Sequence, residues 1–223
     1  MSTVIRVDSV DGGYRVTVGK REVFVHAVDD VSLEIKSNEI LGIAGESGCG
    51  KSTLAKIIYG ALLPPLVINR GHVYLNSREG KEIDILHTPQ EYLKKYVWWR
   101  EISYIPQNSM NVLNPMKRIK DHFINIFKFH EEKVDKNEVI KHATEYISSL
   151  GLPREVLNAY PHQLSGGMRQ RVVIALSLVF NPRIVIADEP TTAVDVVTQL
   201  GILNLLKEWQ KEHRSSMVII SHD

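Results

Sequence analysis

Residues 45–52 read Gly-Glu-Ser-Gly-Cys-Gly-Lys-Ser and fit the pattern G-x-x-x-x-G-K-[ST]. Glycines allow the backbone to turn with its N–H groups pointing inward, and a helix that starts there adds its positive dipole end. The apolar run 40–44 predicts a buried strand before the loop, and residues 53–59 predict a helix after it. The alternative is a glycine-rich turn that binds nothing.

The chemistry of this stretch predicts a phosphate-binding loop for a nucleotide. Lys51 can reach the β- and γ-phosphates, and the hydroxyl of Ser52 can ligate Mg²⁺. Cys49 occupies a free position of the pattern, either as a small residue that fits or as a thiol sensor that blocks the site. The predicted nucleotide contacts are Gly45, Ser47, Gly48, Cys49, Gly50, Lys51, Ser52 and Thr53.

A second candidate site element is acidic and follows the apolar run 184–187. This run predicts a buried strand. Asp188 and Glu189 end this strand, and acids at the carboxyl end of a parallel strand lie where open α/β sheets bind ligands. We therefore expect Asp188 to hold Mg²⁺, directly or through water, and Glu189 to orient or deprotonate an attacking water. The alternative is a solvated pair of acids.

Composition excludes several classes of protein. Of 223 residues, 43% are apolar and 24% charged, as in ordinary globular proteins and unlike collagen-like or disordered chains. Lys plus Arg is 27 and Asp plus Glu is 26, so the strongly basic character of many nucleic-acid-binding proteins is absent. No apolar run approaches the roughly 20 residues of a membrane-spanning helix. With a single cysteine, the sequence predicts a soluble protein of a reducing compartment.

The order of predicted elements indicates an α/β fold. Four short β-like runs near the start predict a small antiparallel sheet: 4–7, 16–18, 23–25 and 31–35. Further strands are predicted at 73–75, 83–86, 102–105, 184–187 and 217–220, and further helices at 89–97, 136–150, 166–179 and 196–211. Residues of roughly 110–165 contain no convincing strand, so we expect a helical subdomain inserted into an α/β core.

Residues 164–171, Leu-Ser-Gly-Gly-Met-Arg-Gln-Arg, narrow the function. Ser165, Gly166 and Gly167 would start a helix and offer a hydroxyl, backbone N–H groups and a positive dipole end. The stretch resembles the signature motif of ATP-binding cassette (ABC) ATPases. That resemblance implies a head-to-tail dimer in which each signature closes on the partner's ATP. The alternative is simply a capped helix with a glycine start.

The resemblance assigns roles to four more residues. Gln107 resembles the Q-loop glutamine, which contacts Mg²⁺ and water and senses the membrane partner. Asp195 resembles the D-loop residue at the dimer interface, and His222 resembles the switch histidine that contacts the γ-phosphate. Tyr14 is our choice for the aromatic ring that stacks on adenine, with Phe24 as its competitor and simple packing as the alternative for both.

Within the family, residues 42–48, 113–115 and 160–171 resemble the ATPases of oligopeptide, dipeptide and nickel importers. Residues 107–111 depart from the usual continuation of the Q-loop, and 193–197 vary slightly from the usual D-loop. Family members continue beyond the switch histidine, so a chain that stops at Asp223 looks truncated.

The resemblance, which covers residues 4–223, implies a P-loop NTPase (RecA-like) α/β core with an N-terminal antiparallel β subdomain. It predicts core and β subdomain at 1–107 and 166–223, and the helical subdomain at 108–165. It further implies an ATPase using ATP and Mg²⁺ at the cytoplasmic face of the membrane, as the motor subunit of an importer for peptides or related solutes.

The implied partners are a second ABC ATPase subunit, identical or paralogous, transmembrane permease subunits and, indirectly, an extracellular solute-binding protein, without nucleic acid. Peptides, nickel and oligosaccharides all remain open as cargo. Two other functions remain open: an ABC ATPase outside transport, or a nucleotide-binding module without turnover in this shortened form.

Overall fold

The computed structural model describes residues 2–107, 112–192 and 194–221. The strands are β1 Thr3–Val18, β2 Arg21–Lys36, β3 Ile40–Ala44, β4 Leu66–Asn76, β5 Glu82–Asp84, β6 Ile102–Ile105, β7 Ile184–Asp188 and β8 Ser216–Ser221. The helices are α1 Lys51–Tyr59, α2 Gln90–Tyr92, α3 Ile119–His130, α4 Lys136–Ser149, α5 Gly166–Leu178 and α6 Val196–His213. A π-helical turn, Leu93–Val97, continues α2, and 3₁₀ turns cover Arg154–Asn158 and Pro161–Gln163.

A parallel sheet in the order β3-β8-β7-β6 forms the centre of the molecule. All five residues of β7 are buried, as expected for an inner strand covered on both faces. Ala44 pairs with Ser221, and Asp188 pairs with Ile220. The carboxyl ends of these strands therefore meet at one edge of the sheet, and the loop of residues 45–52 leaves β3 from that edge.

The antiparallel sheet has the order β2-β1-β4-β5. The four short runs predicted at its start were wrong as separate strands, because β1 and β2 are each 16 residues long. β1 continues through register shifts between Val7 and Gly13 instead of ending there. A Cβ atom on Gly13 would lie 2.2 Å from the carbonyl oxygen of Val25, so the glycine that looks like a strand break allows close pairing instead.

Helices occupy the region between the strands β6 and β7. α3 and α4 pack their apolar faces into a core shared with α5, and no strand occurs among the described residues 112–165. Asp135 caps α4 by accepting the N–H of Asn137 at 2.8 Å, as its sequence pattern predicts. α3 was not predicted as a separate helix. The subdomain boundaries at 108 and 165 stay a prediction.

The helix predicted at 89–97 differs from the observed one. The sequence Thr-Pro-Gln-Glu at 88–91 predicts a helix capped by Thr88, but only Gln90–Tyr92 is α-helical before the π-turn, and Thr88 does not cap it. Its hydroxyl donates instead to the carbonyl oxygen of Asp84 at 2.6 Å, because the turn after β5 brings that acceptor closer. None of the helices in the described ranges has the length and apolar character that crossing a bilayer requires.

Candidate nucleotide-binding site

The loop of residues 45–52 joins β3 to α1 and depends on glycine conformation. Gly48 and Gly50 have φ angles of 82° and 99°, in the region that favours glycine. A Cβ atom on Gly50 would lie 2.1 Å from the carbonyl oxygen of Ala27. Because no other residue type fits there without displacing β2, the glycine before the lysine is required by packing as well as by its φ angle.

Lys51, the first residue of α1, is held by the loop itself and is only 8% exposed. Its Nζ donates to the carbonyl oxygens of Gly45 and Glu46, both at 2.6 Å, and lies 3.7 Å from Sγ of Cys49. An ammonium group has three donors, so these contacts position the charge within the loop. The structure thus brings together the lysine, the cysteine and both ends of the predicted phosphate-binding loop.

Asp188 connects three elements at the edge of the parallel sheet and is 2% exposed. Its Oδ1 accepts the hydroxyl of Ser52 at 2.9 Å, and its Oδ2 accepts the hydroxyl of Tyr104 at 2.6 Å. Burial, followed by the contact with Asp188, raises the pKa of Tyr104 well above its usual range, so this phenol stays a donor. Sequence reasoning missed Tyr104, since one tyrosine in a buried strand usually indicates packing.

Glu189 follows Asp188 with a φ angle of 45°. Its N–H donates to the carbonyl oxygen of Ile220 at 3.1 Å, which turns the chain at the end of β7. Its Oε2 accepts Nε2 of Gln107 at 2.7 Å and the hydroxyl of Thr192 at 3.0 Å. The predicted acid and the predicted glutamine, 82 positions apart, are therefore in contact.

A cavity of about 510 Å³ lies beside the loop. Residues 47–53 line it together with Tyr14, His26, Gln107 and Glu189. The hydroxyl groups of Tyr14 and Thr53 form a hydrogen bond of 2.8 Å. Phe24 is the competitor of Tyr14 for the role of stacking ring, and it is not among the lining residues. It is 37% exposed and packs on His26. The position of Tyr14 is thus suitable for contact with a base, and the role itself stays a prediction.

His26 is a polar residue of this cavity that sequence reasoning missed. Its Nε2 lies 2.8 Å from Oδ2 of Asp11, a buried residue whose Oδ1 accepts Nδ2 of Asn69 at 2.8 Å. The contacts with Asn69 and His26 lower the pKa of Asp11. No local signal could have identified this group, because its members lie on β1, β2 and β4 and meet only through the strand register.

Ser165, Gly166 and Gly167 start α5 but do not line the cavity in the same chain. The Ser165 hydroxyl accepts the N–H of Met168 at 3.3 Å, so the predicted N-cap is present. A Cβ atom on Gly167 would lie 2.8 Å from Cγ2 of Thr198 at the start of α6. The structure therefore separates the signature from the phosphate-binding loop and packs it against α6.

Asp195 caps α6 and holds that same threonine. It accepts the Thr198 hydroxyl at 2.7 Å and the Thr198 N–H at 3.0 Å, and these two bonds lower the pKa of its carboxyl group. The predicted signature and D-loop residues thus form one contiguous surface. His222 lies outside the described residues, as do Ala193 and residues 108–111.

Comparison with known proteins agrees with this geometry. A family model described as "ABC transporter" matches residues 28–192. The chain is 39% identical over its whole length to the dipeptide transport ATP-binding protein DppD of Caldanaerobacter subterraneus subsp. tengcongensis, of which it covers 66%. It is 37% identical over 94% of its length to the oligopeptide transport ATP-binding protein OppD of Escherichia coli, of which it covers 60%. The chain thus spans less than two thirds of the length of these relatives, 60–66%.

A solved structure shows the same fold. It is titled as the dimeric structure of a post-hydrolysis state of the ATP-binding cassette MJ0796 bound to ADP and Pi. It matches with a TM-score of 0.81 and 30% identity over 98% of this chain and 88% of that one.

Proposed function

This chain belongs to the ABC transporter family, and we propose that it binds and hydrolyses ATP as the motor subunit of an importer for peptides or related small solutes. The observation that carries the proposal is the contact network at the mouth of the phosphate-binding loop. Ser52 contacts Asp188, and Gln107 contacts Glu189, so groups from α1, β7 and the segment after β6 converge on one cavity.

The residues of the loop would bind the phosphates of ATP. The N–H groups of the loop and the first turn of α1 supply hydrogen-bond donors, and Lys51 supplies a positive charge that its low exposure leaves weakly screened. The contacts of Lys51 with the carbonyl oxygens of Gly45 and Glu46 hold its charge within the loop, and charges fixed in this way favour phosphoryl transfer. Tyr14, which lines the same cavity and forms a hydrogen bond with Thr53, is the proposed contact for adenine.

Glu189 is the proposed group that acts on the attacking water. Its Oε2 receives two hydrogen bonds, from Gln107 and Thr192, which hold the carboxylate as an acceptor at the cavity. A carboxylate so placed can orient water and accept its proton. His222 is proposed, on the family resemblance, to hold the γ-phosphate.

The donor set around Asp188 fits Mg²⁺, the expected cofactor. A hydroxyl oxygen of Ser52 and the carboxylate of Asp188 lie within 2.9 Å of each other, and hard oxygen ligands of this kind are those that Mg²⁺ prefers. Ser52, Asp188 and Gln107 would hold the ion, which would neutralise charge on the phosphates. Tyr104 orients the carboxylate from the other side.

A second copy or a paralogue is the proposed partner for the signature surface. Ser165 and Gly166 present a hydroxyl and the start of a helix, yet they lie outside the cavity of their own chain. A head-to-tail dimer would bring this surface to the partner's nucleotide. The relative MJ0796 is described as dimeric with ADP and Pi, which supports this arrangement.

The permease subunits are proposed to dock beside Gln107. An apolar cavity of about 390 Å³ lies between β6, α3 and α5, with Tyr104, Val112, Leu113 and Ile126 in its lining. Tyr104 contacts Asp188 on its other side, so a segment seated there would lie one side chain away from the nucleotide site. This arrangement would place the subunit at the cytoplasmic face of the membrane.

Sedimentation of the Glu189→Gln variant with and without MgATP tests the proposal, with ATP binding measured in parallel. The variant should bind ATP and form an ATP-dependent dimer, because it keeps the loop and slows hydrolysis. The unmodified chain should turn over ATP well above this variant. A folded protein that binds no ATP would refute the proposal, and binding without turnover in both proteins would support a nucleotide-binding module instead.

A further inference from the structure

A compact group of three metal-ligand side chains lies at the outer edge of the antiparallel sheet, apart from the nucleotide site. Nδ1 of His72 lies 2.7 Å from Oδ2 of Asp84, and Nδ1 of His87 lies 2.8 Å from the same oxygen. The two imidazole rings are 4.8 Å apart between centroids. One carboxylate oxygen thus joins two histidines that are 15 positions apart in the sequence.

The strand register brings His72 to this point. Asp84 on β5 pairs with Tyr74 on β4, and His72 is two residues before Tyr74. Side chains two positions apart in a strand lie on the same face, so His72 is diagonal to Asp84 across the pair. The His72 ring also stacks on Tyr74, with centroids 5.4 Å apart and planes 13° apart, which restricts its orientation.

The turn after β5 brings His87 to the same oxygen. Oδ1 of Asp84 accepts the N–H of Leu86 at 3.2 Å, and the carbonyl oxygen of Asp84 accepts the N–H of His87 at 3.3 Å and the Thr88 hydroxyl at 2.6 Å. These bonds return the chain toward β5 and occupy Oδ1. Oδ2 is therefore the oxygen that faces both imidazoles. The hydrogen bond to Oδ1 fixes the orientation of the carboxylate, as hydrogen bonds commonly do for carboxylates that bind metals.

We propose that His72, Asp84 and His87 bind a divalent transition-metal ion, for which Zn²⁺ is the best match. Two imidazole nitrogens and one carboxylate oxygen are ligands that zinc accepts, and the three donor atoms lie within 4.8 Å of one another. The side chains of His72 and His87 are about half exposed, so an ion can enter and water can take the fourth position.

Binding requires a balanced transfer of protons and no redox chemistry. In the metal-free state each imidazole can donate its Nδ1 proton to Oδ2. On binding, both Nδ1 atoms give their lone pairs to the metal and each neutral ring carries its proton on Nε2, which faces away from the ion. Any imidazole that was protonated releases one proton to solvent.

The ion would link β4 to the turn that leads into α2. β5 is an edge strand of only three residues, and its pairing with β4 covers residues 74–76 and 82–84. A metal bound by both His72 and His87 would stabilise the pairing of this short edge strand with β4. This role is independent of the proposed ATPase function.

The other described group of this kind is a weaker candidate. Asp11, His26 and Asp29 contain a single imidazole, and Asp29 lies 4.0 Å from His26. Asp11 already accepts a hydrogen bond from Nδ2 of Asn69, and His26 lines the nucleotide cavity. The edge group, with two imidazoles on one oxygen, is the one that the geometry favours.

Calorimetric titration of the tag-free chain with ZnCl₂, in chelator-treated buffer without ATP, tests the proposal. We expect one zinc ion per chain, and we expect His72→Ala and His87→Ala each to weaken binding at least about tenfold, as loss of a ligand should. His162→Ala is the matched control, because His162 also stacks on a tyrosine, Tyr160, at 5.6 Å and 11°, outside the group. It should bind zinc as the unmodified chain does.

A second measurement guards against variants that lose their fold. At one fixed zinc concentration, the unfolding midpoint of the unmodified chain and of His162→Ala should rise clearly more than that of His72→Ala, His87→Ala and Asp84→Asn, because the stabilisation depends on the affinity of the folded chain for zinc. Absence of zinc binding by the folded, unmodified chain would overturn the proposal. Equal binding by all variants would also overturn it, as would a loss of binding confined to His26→Ala, which would move the ion to the other group.

Discussion

The nucleotide cavity and the start of α5 both offer groups for phosphate, yet they differ in how many elements of the chain complete them. The cavity draws on β1, β2, the loop with α1, and the segments after β6 and β7. The start of α5 offers Ser165 and the two glycines from one helix, supported from behind by Thr198. We propose that the first binds a nucleotide within a single chain, whereas the second is completed only by a partner chain.

This difference separates two kinds of sensitivity to mutation. Changes in the cavity should affect the binding of ATP to a single chain. Changes at the start of α5 should leave that binding intact and affect only what requires two chains. The predictions below test this separation, beginning with the largest expected effect.

Replacing Gly50 by alanine should weaken ATP binding more than any other change proposed here. The added Cβ would lie 2.1 Å from the carbonyl oxygen of Ala27, at a φ angle of 99° that alanine rarely adopts, so the loop must move. We expect ATP affinity, measured by fluorescence of a labelled nucleotide, to fall by about a hundredfold or more, because several donors to the charged phosphates are displaced together and each such hydrogen bond contributes about 1.5–3 kcal/mol.

Gly42→Ala is the matched control for that variant, since a Cβ atom there has nothing within 4 Å and the φ angle is not in the left-handed region. It should bind ATP normally. Equal loss in both variants would mean that general destabilisation, rather than the loop, causes the effect.

Replacing Gly167 by alanine should reduce turnover but not ATP binding. The new Cβ would press on Cγ2 of Thr198 at 2.8 Å and shift the start of α5 relative to α6. Steady-state ATPase assays should show a drop of roughly tenfold, equivalent to about 1.4 kcal/mol at the barrier. Binding of labelled ATP to the single chain should stay unchanged, and a parallel loss of binding would contradict the separation of the two regions.

Replacing Tyr104 by phenylalanine removes the 2.6 Å bond to Asp188 and keeps the ring. A hydrogen bond to a charged group contributes about 1.5–3 kcal/mol, and the bond from Ser52 to the other carboxylate oxygen remains to hold Asp188 in place. Affinity for MgATP should therefore fall several-fold, and affinity for ATP without Mg²⁺ should fall less. Tyr96→Phe, at an exposed tyrosine, should change neither affinity.

The smallest effect concerns pH and the helical region. Burial lowers the pKa of His130, at the end of α3, to about 4, from the ordinary value of 6.5. His130 therefore binds a proton more readily in the unfolded chain than in the folded one. Its contribution to the free energy of unfolding is complete above about pH 6.5 and declines as the pH falls toward 4. Urea unfolding at pH 7 and pH 5 should show this decline, and His130→Phe should reduce it.

The His130→Phe variant also tests whether the helical region and the nucleotide cavity respond separately. His130 packs against the rings of Trp99, Phe129 and Phe180, so an aromatic replacement keeps most of its contacts. ATP affinity of the folded chain at pH 7 should not change. If the free energy of unfolding declines equally with falling pH in the unmodified chain and in His130→Phe, groups other than His130 cause the decline.

Much of the site could be predicted where the chemistry is local in sequence. The glycine-rich loop between a strand and a helix, the acids at the end of β7 and the caps of α4 and α5 each occupy a few consecutive residues, and the structure has all of these local features. Gln107 was identified from its place in a family order, not from its own surroundings, and its contact with Glu189 came from the fold.

The errors arose where neighbours distant in sequence decide the conformation. Gly12 and Gly13 lie between the predicted strands 4–7 and 16–18, but their close contacts with β2 and β4 keep β1 continuous. Thr88 matched a helix cap, but the carbonyl oxygen of Asp84 was the nearer acceptor. Propensity describes what a segment prefers alone, and tertiary contacts override it.

The sequence by itself determined the types of group at the site, because a glycine-rich loop, a lysine and an acidic strand end have their chemistry in adjacent residues. Only the tertiary structure decided which groups meet. Ser52 and Asp188 are 136 positions apart, and Asp11, His26 and Asn69 come from three strands. The contacts of Asp84 with His72 and His87 likewise depend on the pairing of β4 with β5 and on the turn that follows. Register and strand order bring such residues together, and neither is a property of any short stretch of sequence.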